Sequence, residues 1–216
     1  MNTVIQDNLI ELHEKLTHMT NMVVSAVDQS VNALAEKDVE KAKLIKKEDK
    51  LINKLRWEIE ERCITLIATQ QPVASDLREI IALLYIITEL ERIGDYAAGI
   101  AKITVLIDNG DHIKPLIDIP RMRDLAVDMI QNAMKAYMNR NEASARMIHG
   151  QDDDIDHLYN QVYRELISFM LEKPGTITQS THLLWVAHNL ERMGDRVTNI
   201  CERVIYLASG ERADDL

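Results

Sequence analysis

The sequence predicts an all-α fold, and three observations lead to that prediction. Among 216 residues there are only 7 glycines and 4 prolines, so the residues that form tight turns between short strands are scarce. Aromatic residues make up 4% of the chain, whereas strands are enriched in aromatic and β-branched side chains. Long stretches also carry apolar residues at helical spacing without a helix breaker. Together these features argue against a β-rich fold and favour a bundle of long helices.

Helix-breaking and capping residues divide the chain into six predicted helices. Asp38 is a suitable N-cap for the second helix. Pro72 follows the end of that helix, and Pro174 separates the last two. Long helices joined by short turns pack as antiparallel bundles. The predicted helices cover residues 3–36, 39–70, 75–109, 119–139, 142–172 and 178–208.

An internal repeat relates the two halves of the chain. The segment Leu90–Asp95 recurs as Leu190–Asp195, displaced by 100 residues. Upstream of this segment, matching residues of the two halves are 103 apart rather than 100. The three-residue difference falls at a hairpin turn, and loops absorb such length differences. We therefore expect two tandem antiparallel three-helix bundles related by duplication, at residues 1–110 and 119–216, with a linker at 111–118. The upstream matches are Asp38 with Asn141, Ala42 with Ala145, Ile45 with Ile148, Asp49 with Asp152 and Ile52 with Ile155.

Charge and cysteine content exclude several classes of protein. The formal net charge is −10, which argues against direct binding to a nucleic-acid backbone. Cys63 and Cys201 are too few for a disulfide framework or a thiolate metal site and are expected in the core. No signal peptide is visible, and the longest apolar run, Ile80–Ile87, is far shorter than the roughly 20 residues of a spanning helix. We expect a cytoplasmic protein.

The acidic residues of the repeated segment lie away from the predicted core. On a helical wheel, Leu90, Ile93 and Ala97 form one apolar stripe, and Glu91 and Asp95 lie nearly opposite it. The sixth helix repeats this arrangement. Its stripe contains Leu190, Met193 and Val197, and its acids are Glu191 and Asp195.

A second set of oxygen-bearing side chains is predicted at the same level of each hairpin. Asp49 and Asn53 are four residues apart and share one face of the second helix. Asp49 is as far from Pro72 as Asp95 is, and Asn53 is as far as Glu91 is. In the second unit, Asp152 is level with Asp195 and Asp156 is level with Glu191.

Two such groups are an unusual arrangement for ordinary surface acids. The alternative interpretation is a solvated acidic surface, which is the common explanation for one isolated pair of acids. Like charges four residues apart on a helix repel one another, and a bound cation would remove that repulsion. Ligands that are all oxygen suit hard divalent or trivalent ions such as Mg²⁺, Mn²⁺, Ca²⁺ or iron, with Zn²⁺ a further candidate.

At these residues the chain resembles the PhoU family of phosphate-uptake regulators. The family pattern Glu-Arg-x-x-Asp-x-x-x-Asn is present from Glu191 through Asp195 to Asn199. The first copy, at Glu91 and Asp95, has Gly99 where the family pattern has Asn. The matching segments extend from about residue 20 to 207.

The resemblance implies metal clusters on the surfaces of two three-helix bundles. It implies no catalytic residues, so the expected protein is not an enzyme. The implied metal ligands are Asp49, Asn53, Glu91, Asp95, Asp152, Asp156, Glu191, Asp195 and Asn199.

The resemblance also implies a function and partners. Family members are negative regulators of phosphate uptake and of the phosphate-starvation response. They act through the ATP-binding subunit of the phosphate ABC transporter and a sensor histidine kinase. We expect a homodimer that reaches the membrane only through these partners.

Two other classes of protein remain as alternatives. One is a di-metal carboxylate enzyme on a helical bundle. Such sites lie in the bundle core and use Glu-x-x-His pairs, which this sequence lacks. The other is a helical scaffold without metal, which metal analysis of the purified protein would distinguish.

Overall fold

The structure, a computed structural model, describes residues 3–107 and 112–210. Within these ranges the secondary structure is helical, with no β-strand. The prediction of an all-α fold is therefore confirmed. The helices are α1 (Thr3–Glu36), α2 (Val39–Gln70), α3 (Ala74–Leu106), α4 (Asp118–Met138), α5 (Glu142–His149), α6 (Asp152–Glu172) and α7 (Ile177–Ser209), with a 3₁₀ turn at Pro174–Thr176.

The predicted fifth helix, residues 142–172, is wrong as a single element. It is broken into α5 and α6 at Gly150 and Gln151. The backbone tightens there, because Gln151 N–H donates to the Ile148 carbonyl (3.0 Å) and Asp154 N–H donates to the Gln151 carbonyl (3.1 Å). Glycine weakens the helix at this point, and the acidic first turn of α6 favours a new helix start.

The end of the third helix also differs from the prediction. That helix was expected to reach residue 109, but α3 ends at Leu106. The predicted stop at Asn109-Gly110 and the first residue of the linker lie outside the described residues.

The repeat extends to backbone detail at the start of two helices. Asp38 caps α2 by accepting a hydrogen bond from Lys41 N–H (2.9 Å), as predicted. Its counterpart Asn141 caps α5 by accepting from Ser144 N–H (3.0 Å). The residue before each cap, Lys37 or Arg140, has a left-handed backbone with φ of 56° or 48°. Both units therefore use one turn geometry, displaced by 103 residues.

The apolar stripes form the core, as the helical wheel predicts. Leu90, Ile93 and Ala97 are fully buried, and so are their counterparts in α7. The two cysteines are buried as well. The acids opposite the stripes are thus left at the bundle surface, partly or largely exposed.

The two units pack through α3 and α7, which run antiparallel. Tyr85 lies nine residues before Gly94, and it contacts Arg203, nine residues after Gly194, with the guanidinium 4.3 Å from the ring. Glu89, five residues before Gly94, accepts from the amide of Asn199, five residues after Gly194, at 3.2 Å. Both contacts place Gly94 and Gly194 at the same level of the antiparallel helix pair.

None of the described helices is both long enough and apolar enough to cross a membrane.

Candidate metal centres

The first candidate centre lies where α2 crosses α3 and contains Asp49, Asn53, Glu91 and Asp95. Asp49 Oδ1 and Asn53 Oδ1 are buried and have no hydrogen-bond partner. Gly94 faces this crossing. A Cβ atom there would lie 3.2 Å from Ile52 Cδ1 and 3.6 Å from Asp49 Oδ1. The missing side chain therefore lets α2 bring its polar oxygens close to the α3 backbone.

Burial raises the pKa of three acids in the first centre, and neighbouring charges add to the effect for two of them. Burial, and then the charge of Asp95, raises the pKa of Asp49. Burial raises the pKa of Glu91 most, followed by Asp95, and Asp49 adds to the effect. Burial alone raises the pKa of Asp95. Such groups favour either a proton or another cation.

The second candidate centre is the equivalent crossing of α6 and α7 and contains Asp152, Asp156, Glu191 and Asp195. Asp152 Oδ1 is buried without a hydrogen-bond partner, and Glu191 Oε2 is buried with His188 Nδ1 at 3.4 Å as its ion-pair contact. A Cβ atom at Gly194 would overlap Asp152 Oδ1. This glycine therefore provides the space that the Asp152 carboxylate occupies.

Repulsion is stronger in the second centre. Burial first, and then the charges of Asp195, Asp156 and Glu191 in that order, raise the pKa of Asp152 to about 7. Burial and then Asp195 raise the pKa of both Asp156 and Glu191. The prediction that each unit gathers its acids at one level of a helix pair agrees with this arrangement.

Basic side chains occupy part of the second centre. Arg192 pairs with Asp195 at 2.5 Å, and His188 pairs with Glu191 at 3.4 Å. Across residues 3–107 and 112–210, no three His, Cys, Asp or Glu side chains already converge as a set of metal ligands. Binding a cation therefore requires these carboxylates to turn toward one another.

Asn199 has a different position from the other predicted ligands. Its amide nitrogen donates to Glu89 Oε2 at the α3–α7 contact (3.2 Å). At the equivalent place in α3, a Cβ atom on Gly99 would lie 3.2 Å from the amide nitrogen of Asn189. Asn199, the Asn of the family pattern, thus uses its side-chain nitrogen in the contact between the units. In the first copy of the pattern, Asn189 lies beside Gly99, which has no side chain.

Sequence reasoning missed three neighbours of the acids. The charge of Arg56 lowers the pKa of Glu91 and opposes the effect of burial. Tyr159 lies near Glu191, whose charge adds to burial in raising the pKa of the tyrosine hydroxyl. His188 pairs with Glu191. Shifting residue numbers by 103 matches Arg56 with Tyr159, so the repeat could have revealed this difference.

The donor set fits a hard cation. Both centres offer carboxylate or amide oxygens, several of them buried and unpartnered. A buried oxygen without a partner costs free energy that a hydrogen bond or a coordinated ion recovers. All-oxygen sites suit hard divalent or trivalent ions.

Fold and site together define a duplicated helical-bundle protein with a group of acids on each unit. The PhoU domain matches residues 16–104 and 119–204. The chain belongs to the PhoU family.

Named relatives span nearly the whole chain. The phosphate-specific transport system accessory protein PhoU homolog of Clostridium acetobutylicum is 38% identical and aligns with 98% of this chain and 97% of its own. The crystal structure of PhoU from Pseudomonas aeruginosa matches with a TM-score of 0.91 at 31% identity, covering 95% of this chain and 99% of that one. The phosphate transport system regulatory protein PhoU from Streptococcus pneumoniae matches with a TM-score of 0.90 at 32% identity, covering 97% and 99%.

Proposed function

We propose that this protein is a metal-binding regulatory adaptor that restrains phosphate uptake and the phosphate-starvation response. The observation that carries the metal proposal is a buried aspartate oxygen without a hydrogen-bond partner beside each motif glycine, Asp49 Oδ1 in the first unit and Asp152 Oδ1 in the second. The names of the relatives support an accessory role in phosphate transport.

Asp49, Glu91 and Asp95 would hold a cation in the first centre, together with the side-chain oxygen Oδ1 of Asn53. Asp152, Asp156, Glu191 and Asp195 would hold one in the second. A bound hard cation supplies positive charge that cancels the repulsion among these carboxylates. Each centre joins two helices, so its residues then fix the packing of α2 on α3 and of α6 on α7.

The proposed partners follow from the relatives and from the family resemblance. We propose that the ordered acidic faces engage the ATP-binding subunit of the phosphate ABC transporter and a sensor histidine kinase. The adaptor acts in the cytoplasm as a homodimer and reaches the membrane through these partners.

The alternative of a di-metal carboxylate enzyme has less support. Glu91 and Glu191 lie outside the buried apolar core. An open groove of about 640 Å³ lies between α1 and α2 and is lined by residues such as Glu11 and Arg62. It contains none of the acids of the two centres, so it does not form a substrate pocket over them.

Elemental analysis of the purified protein tests the metal proposal. We expect bound metal in the native chain and its loss when Asp49, Glu91, Asp152 and Glu191 are all changed to Ala. A control with four exposed acids outside the centres changed to Ala should keep the metal. Equal metal content in both variants would contradict the site assignment. The control acids are Glu40, Glu48, Glu61 and Glu172.

Co-purification with the ATP-binding subunit tests the adaptor role. We expect the native chain to retain the subunit and the variant lacking the four acids to lose it. Retention by both variants would show that the acidic centres do not control this interaction.

A further inference from the structure

We infer that the two centres are unequal, with the second binding a hard cation at a lower concentration than the first, so that the protein fills in two steps. This inference rests on the proposed metal-binding function. It concerns one ligand position, Asn53 in the first centre against Asp156 in the second, and the residues next to it.

The neighbours of the two centres differ in charge at equivalent positions. Three residues of α2 in or beside the first centre carry a formal charge of +2, and their counterparts on α6 carry −2. From α2, a cation entering the first centre therefore meets positive charge. From α6, one entering the second meets additional carboxylates, while Arg192 on α7 pairs with Asp195. The replacements, first unit to second, are Lys50 to Asp153, Asn53 to Asp156 and Arg56 to Tyr159.

Arg56 lies close enough to the first centre to compete with a cation. Its side chain is only 18% exposed, and its charge acts directly on Glu91. The Glu60 carboxylate pairs with the Arg56 guanidinium at 3.0 Å and offsets part of its charge. The counterpart of Glu60 in the second unit is Tyr163, which carries no charge. When Glu60 and Tyr163 are counted with the three replaced positions, the formal charge is +1 in the first unit and −2 in the second. The difference in charge between the units therefore remains.

The second centre has a neutral side chain in place of this arginine. The Tyr159 ring lies 6.2 Å from the ring of His188 and leaves Glu191 without a fixed positive charge from α6. Asp153 adds its negative charge to that of Asp152. Affinity for a hard cation increases with the number of charged ligands, so we expect a difference of about tenfold or more.

Each centre has a tryptophan that can report on it. Trp57 lies against Arg56, whose guanidinium is 4.6 Å from the ring. Trp185 lies 5.9 Å from the ring of His188, which pairs with Glu191 at 3.4 Å. Both tryptophans are more than half exposed, so replacing either with Phe should leave the core intact.

Titration of two single-tryptophan variants with Mn²⁺ tests the inference. Trp185→Phe leaves Trp57 as the reporter of the first centre, and Trp57→Phe leaves Trp185 as the reporter of the second. Starting from chelator-treated protein, we expect Trp185 fluorescence to change at an Mn²⁺ concentration about tenfold or more below that for Trp57. Calorimetric titration of the native chain should show two steps.

Exchanging the neighbours gives matched variants. Lys50→Asp with Asn53→Asp and Arg56→Tyr should lower the Mn²⁺ midpoint of Trp57 toward that of Trp185. Asp153→Lys with Asp156→Asn and Tyr159→Arg should raise the midpoint of Trp185 by about tenfold. Circular dichroism checks that each variant keeps its helices.

The outcomes separate this inference from the function on which it rests. One calorimetric step, equal midpoints, or midpoints unaffected by the exchanges would overturn the inequality and leave metal binding in place. No binding heat and no response from either tryptophan at millimolar Mn²⁺ would overturn both proposals.

Discussion

The two units of the chain share a backbone plan but differ in surface charge. Both begin their second helix from a left-handed residue followed by a capping Asp38 or Asn141. The exposed face of α2 is lysine-rich, and the equivalent face of α6 carries exposed aspartates, including Asp153 and Asp154. Buried positions are constrained by packing, whereas exposed positions tolerate changes of charge. The comparison shows how one duplicated scaffold can provide two electrostatically different centres.

The two units also differ in charge at the buried contact between α3 and α7. Glu89, with a side chain only 4% exposed, lies near Arg92 (3.5 Å) and Arg196 (3.4 Å). It also accepts from Asn199. Its counterpart is the neutral Asn189. One side of the α3–α7 contact therefore depends on a buried ion pair and the other on an amide.

Removing Glu89 should produce the largest loss of stability. Glu89→Ala leaves Arg196, 13% exposed, without its carboxylate partner inside the contact. We expect a decrease of about 3 kcal/mol in the free energy of unfolding, measured by urea denaturation. Asn189→Ala is the matched control and should cost about 1 kcal/mol. Equal losses would show that the buried charge has no special role.

The pH dependence of the metal-free protein should expose the difference between the centres. The pKa of Asp152 is about 7 in the folded chain, against an ordinary value near 3.8. The folded state thus binds the proton more tightly, and stability falls as the pH rises between these values. We expect Asp152→Asn to stabilise the metal-free chain at pH 8 by about 1 to 2 kcal/mol, after allowing for solvent screening of this half-buried group.

The gain should be roughly half as large at pH 5.5, because the unfolded chain is already ionised there while folded Asp152 keeps its proton, and it should vanish only below the ordinary pKa near 3.8. Thermal melts at pH 5.5 and pH 8 measure this dependence. Asp49→Asn should show a weaker trend, since Asp49 has fewer charged neighbours. A gain of the same size at pH 5.5 and pH 8 would mean that the substitution acts through packing rather than charge.

Local rules of sequence predicted much of the fold and the two groups of acids. Caps, apolar stripes and equal distances from a turn all depend on residues near one another in the chain, as for Asp38 and Leu90. The break at Gly150 was missed because a single glycine is often tolerated inside a helix. The partners of Glu89 and Arg56 depend on side-chain placement across helices. The contact of Asn199 with α3 depends on how two units pack, which periodicity within one helix does not determine.

The two motif glycines should respond differently to alanine. Alanine favours a helix by about 1 kcal/mol over glycine, and at Gly94 the new Cβ meets the flexible end of Ile52 at 3.2 Å. We expect Gly94→Ala to change the free energy of unfolding by less than about 0.5 kcal/mol. At Gly194 the Cβ would overlap Asp152 Oδ1, so we expect Gly194→Ala to cost about 1 kcal/mol.

Metal binding provides a second readout for the glycines. Displacing Asp152 should raise the Mn²⁺ midpoint reported by Trp185, and Gly94→Ala should change the Trp57 midpoint less. Identical effects of the two substitutions on stability and Mn²⁺ binding would indicate that the closer approach at Gly194 has no consequence.

The smallest expected difference concerns the two left-handed turns. Glycine adopts this conformation without the strain of a side chain, so Lys37→Gly should raise the free energy of unfolding by about 0.5 kcal/mol. Arg140→Gly relieves the same strain but removes an ion pair with Glu79, whose side chain is 11% exposed and also faces His13 at 3.2 Å. Because Arg140 is itself 53% exposed, that pair is worth about 1 kcal/mol. We therefore expect a net loss of about 0.5 kcal/mol in urea denaturation, and equal gains at both positions would show that the turns are interchangeable.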